Sequence, residues 1–227
     1  MKLRFAAATL AALAAGLLVV AAAGAEMVGI YRNGLETTAQ RAELVKLLGT
    51  SCKRGGGDDA VRVVLGKKTD SCSYRTPVIG RNLEVAATER ILSGTPKPLQ
   101  NKAYVAVQLR VGGGAKYEVR AFPVQRKAQL IKVSEAGTKY MAIKKNVKEI
   151  GGINEPTVVR LKVEKTAGEA SAAIAAYVGP TPIDEVTDEA AGEVPGEFSA
   201  VAVGATKIAE GLIGSIDDLV VRVPVTF

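Results

Sequence analysis

From Asn82 onward the apolar and polar positions of the chain alternate with a period of two. Lys102 to Val111 sets Ala103, Val105, Val107, Leu109 and Val111 on one face and Lys102, Gln108 and Arg110 on the other. That alternation is the pattern of a half-buried strand. It recurs in Leu83-Val85-Ala87, Tyr117-Val119-Ala121, Val159-Leu161-Val163, Ile174-Ala176-Val178 and Leu219-Val221-Val223. Turn signals separate the runs: Gly94-Thr95-Pro96, Gly112-Gly113-Gly114, Gly151-Gly152, Gly179-Pro180 and Pro195-Gly196. Short strands at this spacing, with no helix-length crossover between them, predict an all-β antiparallel sandwich or barrel. Glu36 to Leu48 fits a short helix or an irregular strand, and propensity does not decide between them. No internal repeat or linker divides residues 26–227, which read as one domain.

The N-terminus follows a different rule. Lys2 and Arg4 precede a charge-free run from Ala6 to Ala25, closed by Ala23-Gly24-Ala25. This is the layout of a signal peptide over residues 1–25, cleaved before Glu26. At 20 residues the apolar run also reaches the length of a spanning helix, so a retained anchor is the alternative. Either way the remainder is expected outside the cytoplasm, secreted or at the cell surface. A membrane enters only through residues 6–25.

Export changes the meaning of the two cysteines, Cys52 and Cys72. An even pair in an oxidising compartment is expected to close a disulfide. A loop of that length contributes about 3 kcal/mol in the chain-entropy picture. A redox role would need a CxxC spacing or a neighbouring base, and the chain has no His.

Composition then removes whole classes of chemistry. Without His there is no Ser-His-Asp or Cys-His catalysis and no His-ligated metal. The net charge of +7 hides an asymmetry: residues 26–150 carry 23 Lys+Arg and 11 Asp+Glu, residues 151–227 carry 5 and 12. The basic residues, among them Arg110, Lys116, Arg120, Lys132 and Lys144, are expected largely on outward strand positions. Such a face suits either solvent or an anionic cell-wall polymer. Nucleic acid is not expected, because stacking aromatics are scarce. The acidic cluster Asp184, Glu185, Asp188, Glu189 and Glu193 lies between prolines and reads as a solvated loop, with calcium as the alternative. Gly66-Lys67-Lys68-Thr69 lacks the order of a P-loop, and no serine sits in a G-x-S-x-G elbow.

The two ends of the domain carry a resemblance. Tyr31-Arg32-Asn33-Gly34-Leu35-Glu36 opens it and Ile216-Asp217-Asp218-Leu219-Val220-Val221-Arg222-Val223-Pro224 closes it. Together with Lys102–Arg120, Val158–Val163 and Ala175–Val178 followed by Asp188 and Gly196, they resemble the concanavalin A-like lectin/glucanase superfamily. The nearest likeness is to the laminin-G-like jelly rolls of exported bacterial proteins. The resemblance implies a jelly-roll β-sandwich whose first and last strands pair, with a ligand site on the concave sheet. It would draw on Tyr104, Gln108, Arg110, Tyr117 and Arg120, only some of which can face one ligand because neighbours alternate. It also implies a structural calcium near Glu36, Asp217 and Asp218.

Departures from that family narrow the function. The E-x-D-x-x-E strand of its glucanases is absent, and so is the Trp on which sugars stack. The expectation is a non-catalytic module binding a glycan or serving cell-surface interaction. The alternatives are a sugar hydrolase using carboxylates such as Glu84 and Glu118, and a structural wall protein holding anionic polymer on its basic face.

Overall fold

The computed structural model describes residues 27–48, 51–57, 60–164 and 170–224. The expected signal or anchor, residues 1–25, lies outside them. The strands are β1 (Met27–Asn33), β2 (Val45–Leu48), β3 (Lys53–Gly57), β4 (Ala60–Val64), β5 (Ser71–Ile79), β6 (Leu83–Ile91), β7 (Ala103–Gly112) and β8 (Ala115–Phe122). They continue with β9 (Lys127–Ser134), β10 (Gly137–Lys144), β11 (Thr157–Glu164), β12 (Ala172–Val178), β13 (Thr181–Asp188), β14 (Phe198–Ala205) and β15 (Ile213–Pro224). Each run of alternation in the sequence falls on a strand, Lys102 alone preceding β7, and the turn signals fall between strands except that Gly112 is the last residue of β7.

The strands form two antiparallel sheets. One runs β13-β12-β11-β6-β15-β4-β3, with β1 also on β15; the other runs β10-β9-β8-β7-β14-β5-β2. The first and last strands pair as expected, from Met27 opposite Pro224 to Asn33 opposite Leu219. Between the layers lie Val85 and Ala87 of β6, Leu161 of β11, Val105 and Val107 of β7, Val119 of β8 and Val203 of β14, all 0–1% exposed. These are the same alternating positions that the sequence displays, and facing rows of branched side chains exclude water from both sheets.

Two segments needed pairing partners to define them. Residues 36–48 hold both predicted possibilities: a one-turn helix α1 (Thr38–Ala42) and then β2. Thr37 starts α1, its hydroxyl accepting from the Gln40 amide while the Gln40 side chain accepts from the Thr37 amide. The acidic segment is not the expected solvated loop. Residues 181–188 are β13, the outermost strand of the larger sheet, and Ala191–Glu193 form a single 3-10 turn.

One irregularity shapes the end of the sandwich. The β7–β8 register shifts between Leu109 and Gly112, and Arg110 takes a left-handed φ of 52°. Gly196 packs directly on this bulge. A Cβ there would collide with the Arg110 carbonyl oxygen and the backbone of Val111, so only glycine permits the approach. The close contact brings Pro195 and the 3-10 turn against the β7–β8 hairpin.

Candidate functional site

The five predicted ligand residues divide between the two faces of the seven-stranded sheet. Tyr104, Gln108 and Arg120 share its outer face with Glu118, since Gln108 stands opposite Glu118 in the register. There they form a closed polar ladder. Ser73 Oγ donates to Gln108 Oε1 at 2.8 Å, and Gln108 Nε2 donates to Glu118 Oε1 at 3.2 Å. Lys116 Nζ and Arg120 Nη2 lie 3.0 and 3.1 Å from Glu118 Oε2. Burial pushes the Glu118 carboxyl up, but these two cations outweigh it and hold it below the ordinary carboxylate value. The Arg120 guanidinium sits 4.5 Å over the Tyr104 ring, and that ring is 2% exposed. The tyrosine face on which a sugar would stack is therefore already occupied.

Arg110 and Tyr117 turn the other way. The bulge directs Arg110 Nε to the Arg81 carbonyl at 3.1 Å and its guanidinium to 6.0 Å from the Tyr117 ring centre. Tyr117 donates from its hydroxyl to Asp188 Oδ2 at 2.5 Å. Lys132 Nζ lies 2.8 Å from that same oxygen and 2.8 Å from Glu193 Oε2, and also donates to the Ala190 carbonyl at 2.9 Å. Burial raises the Asp188 carboxyl, but Lys132, the Tyr117 hydroxyl and the Ala190 amide together hold it below its ordinary value. Two of the basic positions expected to face outward, Arg110 and Lys132, are thus buried, at 2% and 4% exposure.

Above this cluster the sandwich end is open. A cleft of about 510 Å³ lies between the β7–β8 turn (Gly113, Ala115), the β9–β10 turn (Ser134, Glu135, Ala136) and the 3-10 turn with Pro195. A neighbouring cavity of about 370 Å³, reaching Lys132, Lys139 and Asp188, shares Ser134, Ala136 and Glu193 with it. The Glu193 side chain, 50% exposed, stands on the wall common to both while its other partner is the buried Lys132. This is where fixed polar groups and accessible volume coincide.

Lys132, Ser134 and Glu193 were not among the predicted ligand residues. Glu193 stood in the acidic cluster that reads as solvated, and Lys132 occupies a polar slot of an ordinary strand. A pairing between residues so far apart leaves no trace in local pattern.

The calcium set is not assembled. Asp217 Oδ2 lies 3.4 Å from Arg90 Nη2, and Asp218 Oδ1 lies 3.5 Å from Arg32 Nε. Asp217 Oδ1 also accepts the Asp218 amide at 2.8 Å, within a bulge of β15. Among the described residues no group of three or more His, Cys, Asp or Glu converges as metal ligands, so Glu36, Asp217 and Asp218 do not fit the ion. The two suggested hydrolase carboxylates are also separated. Glu84 faces outward from the larger sheet, where it pairs with Arg222, and Glu118 faces outward from the smaller one. Two sheets stand between them, so they cannot flank one glycosidic bond.

No protein-family model matches this sequence, and neither does any curated protein. Solved structures do match. The carbohydrate-binding module CBM66 from Bacillus subtilis aligns at 9% identity and TM-score 0.56, over 79% of this chain and 95% of that one. A galectin-like protein of unknown function, also from Bacillus subtilis, aligns at 12% and 0.62, over 87% and 97%. The laminarinase catalytic domain from Thermotoga maritima aligns at 7% and 0.60, over 88% and 100%. Likenesses at these identities speak to architecture alone. By that architecture the chain is an antiparallel jelly-roll β-sandwich.

Proposed function

We propose that this chain is a non-catalytic carbohydrate-binding module of an exported or cell-surface protein, and that it takes its glycan in the cleft at the Glu193 end of the sandwich. The observation that carries this reading is the half-exposed Glu193 carboxylate, held in place from below by buried Lys132 on the wall of a cleft of about 510 Å³. A carboxylate fixed by a partner on its inner side presents its remaining lone pairs to sugar hydroxyls at little entropic cost. The Ser134 hydroxyl adds a donor and acceptor on the facing turn, and Gly113 and Gly192 leave room for a ring to approach the backbone. The fold supports the same direction, since its neighbours include a carbohydrate-binding module and a laminarinase catalytic domain. The disulfide Cys52–Cys72 agrees with an oxidising compartment.

Binding is favoured over hydrolysis by the state of the two carboxyls. A glycosidase needs one carboxylic acid that stays protonated near neutral pH. Here both Asp188 and Glu193 are ion-paired with the same Lys132, and Asp188 is held ionised.

A glycan-array screen of the protein, run with and without calcium, tests the reading. The expected result is binding that survives moderate salt, ignores calcium removal, and weakens roughly tenfold or more in Glu193→Ala, the loss of one or two good hydrogen bonds to a charged group. Binding that disappears in salt and tolerates Glu193→Ala would instead favour an anionic polymer on the exposed lysines. Binding unaffected by both would refute the cleft.

A further inference from the structure

We propose that two copies of this chain pair edge to edge through β10 and β13, and that the pairing sets their two clefts side by side at one end of the dimer. The two strands end their respective sheets on the same flank of the sandwich. At one end Lys144 Nζ donates to the Pro182 carbonyl at 2.7 Å. At the other, Lys139 and Asp188 line the same cavity. β10 and β13 therefore run in opposite directions, one in each layer, with their ends matched.

A two-fold axis parallel to the strands exchanges the layers and preserves position along the strands. It lays β10 of one copy antiparallel to β13 of the second, and β13 of the first against β10 of the second. Each sheet then continues across the boundary, and four edges that carry no partner strand among the described residues become two ladders.

Charge selects this pairing over the others. β10 carries Lys139 and Lys144, with Lys145 next, while β13 carries Asp184 and Glu185 outside the buried Lys132–Asp188 pair. Like charges oppose β10 against β10 and β13 against β13, whereas β10 against β13 joins opposite signs. Tyr140 and Ile143 of β10 are 56% and 52% exposed, and both lose water when a strand is added beside them. The cavities lie at the Lys139 and Asp188 end of these strands. An axis along the strands keeps that end common to both copies, so both clefts open in the same direction. The bivalent use of the clefts rests on the glycan reading; the dimer itself does not.

Sedimentation velocity on the full chain tests the pairing without any glycan. The expected result is a dimer in the wild type, monomers in Lys144→Glu and in Asp184→Lys, and a dimer again when both substitutions share one chain. A monomeric wild type would overturn the proposal. So would a dimer that persists in both single variants, which places the contact elsewhere, or a double variant that stays monomeric. On a dense surface of a bound glycan, the wild type should dissociate roughly tenfold or more slowly than the Lys144→Glu monomer, as expected for linked sites. Equal dissociation rates would overturn the bivalent arrangement while leaving the dimer to the sedimentation result.

Discussion

Glu89 is an acid buried in the apolar core. It points from β6 into the core among Val85, Ala87 and Ile91, is 0% exposed, and has no side-chain partner for its carboxylate; the backbone amide of Ala106 is the polar group that counters its burial. Burial, with the Glu118 charge as a second cause, pushes its carboxyl well above the model-compound value of 4.5. The folded state therefore holds a proton that the unfolded chain releases, and stability falls as pH rises from about 4.5 toward the folded value. Glu89→Met, similar in length and apolar, is expected to raise stability by about 1–3 kcal/mol near neutral pH, with a smaller gain at pH near 4.5. Urea unfolding of both proteins at the two pH values checks this; an equal or negative effect at both would refute the buried acid. Lys132 gives the opposite case. Lys132→Met leaves Asp188 buried without its cation and is expected to cost about 3–5 kcal/mol, the usual result of breaking one side of a buried pair. Because Asp188 is held below its ordinary value, its contribution is present above the unfolded carboxylate range and is lost as pH falls through the folded value. Lys132→Met should accordingly lose part of the acid sensitivity of the wild type, which a pH series of thermal melts would show.

Single elements are positioned by a few fixed contacts. The disulfide joins Cys52, just ahead of β3 in the larger sheet, to Cys72 in β5 of the smaller, with Cα atoms 6.0 Å apart. It clasps the two layers at the flank away from β10 and β13. Replacing both cysteines by serine is expected to lower stability by about 3 kcal/mol and leave cleft binding unchanged, as read by melting and by the glycan screen. Gly196 acts at the opposite end. Gly196→Ala forces a Cβ into the β7 bulge, which as backbone cannot yield, and should destabilise by roughly 1–3 kcal/mol while also weakening binding in the cleft, whose wall includes the adjacent Pro195. Elements differed in how readable they were. β7 was plain because it is paired on both sides and one face is core, so its apolar residues obey the period. β10 and β13 were not, because each has a single neighbour strand and a flank open to solvent. Lys139, Lys144, Asp184 and Glu185 satisfy such an edge without any apolar alternation, and pairing alone makes them strands. The five candidate ligand residues met a different obstacle. Their alternation was legible, but the bulge at Arg110 displaced one of them to the inner side, and a bulge has no pattern of its own.

For the whole molecule, charge does not act as a uniform basic face. Lys116 and Arg120 are spent on Glu118, Lys132 on Asp188 and Glu193, and Arg110 on a carbonyl. The exposed basic side chains that remain include two groups: Lys139, Lys144 and Lys145 beside the acidic β13, and Lys46, Lys53, Arg54, Arg62, Lys67 and Lys68 around β2–β4. Of the two, only the first has an acidic strand beside it, so electrostatics at this scale bears on how copies meet there.

The sequence by itself determined an all-β antiparallel sandwich or barrel and the disulfide, because these follow from period-two burial, turn residues and a single cysteine pair; the pairing of the terminal strands came from the resemblance its two ends carry. Its absences, no His and no Trp, also excluded His-dependent catalysis and stacking on Trp. Only the tertiary structure decided which polar residues work together. Lys132 and Glu193 are 61 residues apart and meet through two sheets and a turn. An ion pair of that kind depends on the path of the backbone in three dimensions, which no local period records.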